Sequence, residues 1–306
     1  MRHSILKIGS FLMLSSFLVA SSHRLARASR KSGFTFRVAA FSSPRAFSGN
    51  RKAKEDSEDP DAEVSPWNNP RLLERIEGKN PFRSRQHVNP LAIKFQQPTV
   101  LTPDWPRDTF DDMSRPLFLD IGCSRGGFLV DIAKQRPDDF NYLGLEIRPI
   151  VVFHAQQRID KHNLRGHLGF VGCNANVDLE RLLTLAEAKD NLKMVTIQFP
   201  DPHFKARHAK RRVVTPDLVV SLAKFMPPGA TVFLQSDVQS VLDDMREQFR
   251  NHSQFFRDDV DDIKEYLEEN LLGIPTEREI SVIDKGLPVY RTTFTRTKET
   301  VDSLEP

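Results

Sequence analysis

Four short apolar runs, residues 117–121, 142–145, 168–172 and 194–199, punctuate the middle of the chain, with a helical stretch between each and the next. This alternation constrains the fold more than any other feature. A run of four to six residues that is apolar on both faces reads as a strand buried between layers. Parallel strands need a crossover of a dozen residues or more, usually a helix. Helices are expected over 126–136, closed by Pro137, and over 151–161, 179–189, 218–225 and 241–249. A fifth strand is expected over 231–235, beyond the turn Pro227-Pro228-Gly229, and an alternating strand over 289–295. Residues 264–270 also read as helical. The pattern predicts a doubly wound α/β sheet.

In such a sheet, ligands sit beyond the carboxyl ends of the strands, at the switch in strand order. The distinctive residues fall there. Asp120-Ile121-Gly122-Cys123-Ser124-Arg125-Gly126-Gly127 follows the first strand. Glycine lets a backbone approach a ligand closely. The G-x-S-x-G-G spacing is not the dinucleotide fingerprint G-x-G-x-x-G, and an ordinary tight turn reads the same. Glu146 ends the second strand, where a carboxylate can accept from a ribose diol. Asn174-Ala175 follow the third, where an amide could read an adenine edge. Three such positions fit a nucleoside-shaped ligand, NAD included.

Charge is distributed unevenly. Residues 1–54 hold 11 Lys and Arg and no acid, which leaves 33 basic against 41 acidic residues in the remainder, a net of −8. Nucleic-acid contact then requires a local basic patch. The start is a targeting leader: Arg2, His3 and Lys7 precede an apolar run over 8–20, too short to span a bilayer comfortably, and an acid-free Ser/Arg/Ala stretch follows. A signal-like segment before a transit-like one predicts a plastid address, with the mitochondrion as runner-up, and no membrane span in the mature form. Residues 55–82 read as a disordered linker, 83–298 as the folded domain and 299–306 as a tail. Cys123 and Cys173 make no disulfide framework or zinc spacing and are expected as buried thiols.

After the fourth strand comes Phe199-Pro200-Asp201-Pro202-His203-Phe204-Lys205-Ala206-Arg207-His208-Ala209-Lys210-Arg211-Arg212. Five of the last eight residues are basic, suited to phosphate contacts that position a nucleic acid without reading it. A basic run is usually a solvated loop. Here it is fused to an acid between two prolines, which fix its backbone and aim it from a strand end.

This string resembles the tRNA (guanine-N7-)-methyltransferase family. RSRQHVNPL, YLGLEIR, QSDV and PTEREI extend the likeness over roughly residues 83–297, nearest the plant plastid-type branch. The resemblance implies a class I methyltransferase with a Rossmann-like, mostly parallel sheet and an antiparallel last strand. It implies S-adenosylmethionine as cofactor, with Asp120, Gly122, Glu146, Arg148, Asn174 and Ala175 around it. It implies Asp201 as the catalytic acid and no metal. Lys205, Asp237, Thr276, Glu277 and Glu279 would meet a tRNA substrate, joined by the basic Arg207, Lys210, Arg211 and Arg212. The family's usual target is the variable-loop guanosine, position 46; some relatives use a partner subunit and others do not. The branch usually carries Gly where Ser124 stands. The third glycine of an NAD oxidoreductase is missing here, and Pro200-Asp201-Pro202-His203 lacks the paired prolines of a DNA or RNA adenine methyltransferase. A non-catalytic tRNA-binding protein would need no such acids at 120, 146, 201 and 237; a methyltransferase of another RNA is the remaining alternative.

Overall fold

In the computed structural model, the structure describes residues 66–67, 87–203, 206–260, 262 and 264–301, without the side chains of Ala206 and Arg207. They fall within one of the chain's two compact units, Asp56–Pro306. The leader, most of the linker and the end of the tail lie outside the described residues.

Seven strands form one sheet in the order β3-β2-β1-β4-β5-β7-β6. They are β1 (Leu117–Ile121), β2 (Asn141–Glu146), β3 (Leu168–Gly172), β4 (Leu192–Gln198), β5 (Thr231–Ser236), β6 (Phe256–Asp258) and β7 (Tyr290–Arg296). The first five are parallel, and β7 runs antiparallel to both β5 and β6. The order reverses between β1 and β4, so their carboxyl ends open the crevice where a ligand is expected. Six helices surround the sheet: α1 (Gly127–Gln135), α2 (Pro149–Lys161), α3 (Ala175–Leu185), α4 (Pro216–Phe225), α5 (Gln239–Arg250) and α6 (Glu277–Ile283).

Strand alternation sorts the core onto two faces. Leu117, Leu119 and Ile121 pack with Leu182, Leu222 and Phe249 from α3, α4 and α5. Phe118 packs on the other face with Leu129, Ile132 and Ala155 from α1 and α2. Asp120 shares the face of Phe118, and a polar row crosses the sheet there. Asp120 accepts from Thr196 Oγ1 at 2.6 Å, Gln235 Nε2 donates to Gln198 Oε1 at 2.6 Å, and Arg291 Nε donates to Gln235 Oε1 at 3.2 Å. Buried polar groups persist only when paired, and these are.

Several expectations need correction. α3 begins four residues earlier than the polar pattern over 179–189 suggests, because Asn174 caps it: its side chain accepts from Asn176 N–H at 3.2 Å. Residues 264–270 are not helical. They form a loop tied down by buried Arg246, which donates to the carbonyl of Glu265, and by Leu267 N–H on the Arg291 carbonyl. α6 goes unnoticed in the periodicity, although its capping box, Thr276 with Glu279, stands in the sequence. Trp67, inside the stretch read as linker, is buried: its Nε1–H donates to the Ile147 carbonyl at 3.1 Å and its ring fills the space beside Gly172.

Candidate active site

A cleft opens at the carboxyl ends of β1, β2 and β4, where a ligand of this sheet type is expected. Ile121, Leu145 and Ile147 give it apolar wall; Glu146, Gln198 and Asp201 bring the polar groups.

Gly122 turns the chain out of β1 at φ 84, and nothing lies within 4 Å of where a Cβ would stand. The backbone here borders open space, as close ligand approach requires. Ser124 also has positive φ, 51. That conformation is the physical reason a glycine suits this position.

Glu146 is buried at the end of β2 and heavily engaged. Its Oε1 accepts from Arg148 N and Nε, both at 2.9 Å; its Oε2 accepts from Ser124 N and Arg148 Nη2, both at 3.0 Å. A carboxylate has about four lone-pair sites. A ribose diol must therefore share Glu146 with Arg148, which itself lines the cleft. Asp120 lies under the cleft rather than in its wall, 4% exposed. Burial raises its pKa to about 6, the Glu146 charge adding to the rise and hydrogen bonds from Thr196 and Gln198 opposing it. Burial also pushes up the thiols of Cys123 and Cys173.

Asn174 lies in the cleft wall as expected, and its side-chain amide donates to the carbonyls of Pro90, at 3.2 Å, and Phe95, at 3.1 Å. The reason is its capping duty: the oxygen serves α3, so the nitrogen faces the preceding strap. Ala175, the first residue of α3, also lines the cleft. Its backbone N–H belongs to the group that a helix leaves for other partners.

Asp201 stands at the mouth with its side chain 39% exposed, and His87 Nδ1 lies 2.7 Å from its Oδ1. Phe199, at φ 49, aims this turn from the end of β4. Beyond it, residues 206–211 form a short 3-10 turn. Lys210 is exposed and Arg211 half-buried in the cleft wall. Arg212 is drawn into an ion pair with Asp244. Lys205 and the side chain of Arg207 lie outside the described residues. His203 is held neutral, its pKa lowered by burial and by nearby Arg211, His208 and His87 against the opposing charge of Asp201.

The late motif divides. Asp237, after β5, is paired with Arg278 of α6. Glu277 is exposed and reaches Arg158 at 3.5 Å. Thr276 caps α6, accepting from Glu279 N–H at 3.0 Å. Glu279, expected at the substrate, faces inward instead: it is 2% exposed, with Arg291 Nη2 at 2.7 Å and Gln235 and Asn270 donating to its other oxygen. A carboxylate at the third helical position reaches back over the helix start, which here points into the protein. Sequence reasoning missed Gln198, Gln235 and Arg291, whose polar row is visible only once strand register is known. It also missed Val88 and Pro90, which line the cleft from a strap ahead of β1.

A parallel sheet that reverses between β1 and β4, with an antiparallel β7, a glycine turn after β1 and an acid ending β2, is the architecture of a class I S-adenosylmethionine-dependent methyltransferase. Residues 114–292 match a family model described as "Putative methyltransferase". A tRNA (guanine-N(7)-)-methyltransferase of Microcystis aeruginosa is 50% identical over 69% of this chain and 97% of its own length. One of Synechococcus elongatus is 50% identical over 70% and 96%, and one of a Synechocystis strain 46% over 70% and 98%. The chain belongs to the tRNA (guanine-N7-)-methyltransferase family. A solved antibiotic-related methyltransferase covers 66% of this chain and 98% of its own at 14% identity and a TM-score of 0.46.

The described residues fit the cofactor: Gly122 leaves room at the turn, Glu146 presents a carboxylate in the wall, and Ile121, Leu145 and Ile147 add apolar surface. No helix among the described residues is long and apolar enough to cross a membrane.

Proposed function

We propose that this protein transfers a methyl group to N7 of a guanine in tRNA, at the variable-loop guanosine, position 46. The observation that carries this reading is Asp201, a carboxylate held at the rim of the cleft at the strand ends and followed by a basic turn. Gly122, Glu146 and Ala175 would hold S-adenosylmethionine, which would supply an electrophilic methyl on its sulfonium. Guanine N7 carries an in-plane lone pair and no proton, so it needs no base to remove one. The protein's work is then positioning and charge. The cleft walls bring the guanine edge to the methyl and exclude water. As methyl transfer proceeds the base turns positive, and the Asp201 carboxylate stabilises it and can accept from its ring and amino hydrogens. Lys210 and Arg211 meet phosphates, with Lys205 and Arg207 of the same loop. A base in a loop can leave its stack, which the chemistry requires.

Within the family, the nearest group is proposed to be the plastid-type branch and the address a plastid. Support comes from the acid-free leader and from the cyanobacterial source of the relatives named above. Residues 1–60 fused to a fluorescent protein would report the compartment. A partner subunit is not required by this reading. To test it, the full chain is incubated with unmodified tRNA and labelled S-adenosylmethionine, and the product is cleaved chemically at 7-methylguanosine. Cleavage at position 46 is expected; label elsewhere, or on another base, would replace the substrate assignment.

A further inference from the structure

The approach of His87 to Asp201 is made by a built element. Three residues after His87, the Pro90 carbonyl accepts from Asn174 Nδ2 at 3.2 Å and from Gln96 Nε2 at 2.6 Å. Phe95, farther along the strap, is buried against Trp67, ring centroids 5.8 Å apart. Asn174 is itself fixed as the cap of α3. The strap is thus pinned to the start of α3, and its free run to His87 is short.

We infer that His87 is a positioning residue for methyl transfer, holding one oxygen of Asp201 so that the other faces the target guanine. The inference rests on the proposed reaction. Asp201 follows a strand end between two prolines, so its backbone is set. Its side chain is 39% exposed and, without a partner, would exchange rotamers against water. An ionised carboxylate only accepts, so the proton of the 2.7 Å contact lies on His87 Nδ1. The ring in this role fixes the orientation of the acid. The other charged or titratable groups near Asp201 act differently. Arg148 is committed to Glu146. Arg211 lies in the cleft wall, and His203 is kept neutral. His87 therefore orients Asp201. Its side chain is 55% exposed, so replacing it does not threaten the core.

The test compares the full chain with His87→Ala and His87→Asn in steady-state methyl transfer to unmodified tRNA. Asn carries an N–H donor close to where Nδ1–H stands. His87→Ala should lower kcat about tenfold, the scale of a lost orienting contact, with the KM for tRNA and cofactor within about twofold of wild type. His87→Asn should recover most of kcat. A kcat for His87→Ala within twofold of wild type overturns the inference. So does a rise confined to the tRNA KM, which would make His87 an RNA contact, or failure of Asn to recover what Ala loses. A second readout needs no activity: the nitrogen-15 resonance of His87 Nδ1 should move on Asp201→Ala. An unmoved resonance overturns the contact. A wild-type chain that methylates no guanine, with that resonance responding, would sink the proposed function and leave the His87–Asp201 contact standing.

Discussion

The two ends of the active cleft are built on opposite principles. On the cofactor side, Asp120 and Glu146 are buried and each carboxylate is already engaged by the protein's own donors. On the substrate side, Asp201 and Lys210 stand at the surface, and one exposed histidine contacts the acid. A small cofactor entering a cleft gains most from a site whose geometry exists beforehand. A large polyanion is instead met by charges in water, whose attraction is long-ranged and salt-dependent. The difference suggests that changes on the first side should read out as stability and those on the second as activity.

The sharpest way to break this comparison is Arg291→Met. It strips a buried partner from Glu279, and breaking such a pair costs about 3–5 kcal/mol. Urea unfolding should show the midpoint falling, and a second change, Glu279→Leu, should restore much of it. If Arg291→Met leaves the midpoint unchanged, the polar row is not a stability element.

Asp120 gives the next largest effect. Its carboxyl rises from 3.8 to about 6 on folding. At 1.36 kcal/mol per unit this corresponds to about 3 kcal/mol. The folded state holds the proton more tightly, so stability from this group is full below pH 3.8 and is lost as pH rises through about 6. Wild type should therefore lose ground to Asp120→Asn between pH 4 and pH 7. Parallel stability curves over that window would mean that Asp120 titrates normally.

The smallest effects belong to the mouth. Lys210→Ala and Arg211→Ala should each weaken tRNA binding modestly and reduce its salt slope by about one, with thermal stability unchanged. A slope that stays put would place these side chains away from phosphate.

The parallel sheet was legible because strand and helix periods differ and each strand ends in a marked residue. β1 and β3 fall where the apolar runs do. Asp201 and the glycine turn were legible for the same reason. What escaped depends on register or on capping. Gln235 meets Arg291 only because β5 and β7 pair antiparallel in that alignment, a fact no local pattern contains. Glu279, expected at the substrate from the resemblance, is buried because it caps α6 and pairs with Arg291 across the sheet. The apparent helix over 264–270 failed because Arg246, fully buried in α5, collects loop carbonyls that a helix would have used internally. Asn174 lies in the cleft wall where expected, but its double engagement, capping α3 and holding the Pro90 and Phe95 carbonyls, is visible only in the fold.

The most direct test of the central claim is single-turnover methyl transfer to unmodified tRNA by the full chain beside Asp201→Ala. Wild type should form 7-methylguanosine, and the variant should slow by about a hundredfold or more, the loss expected when a preorganised charge is removed, while folding and cofactor affinity stay unchanged. A variant that forms 7-methylguanosine at the wild-type rate would contradict the placement of Asp201 at the reacting base.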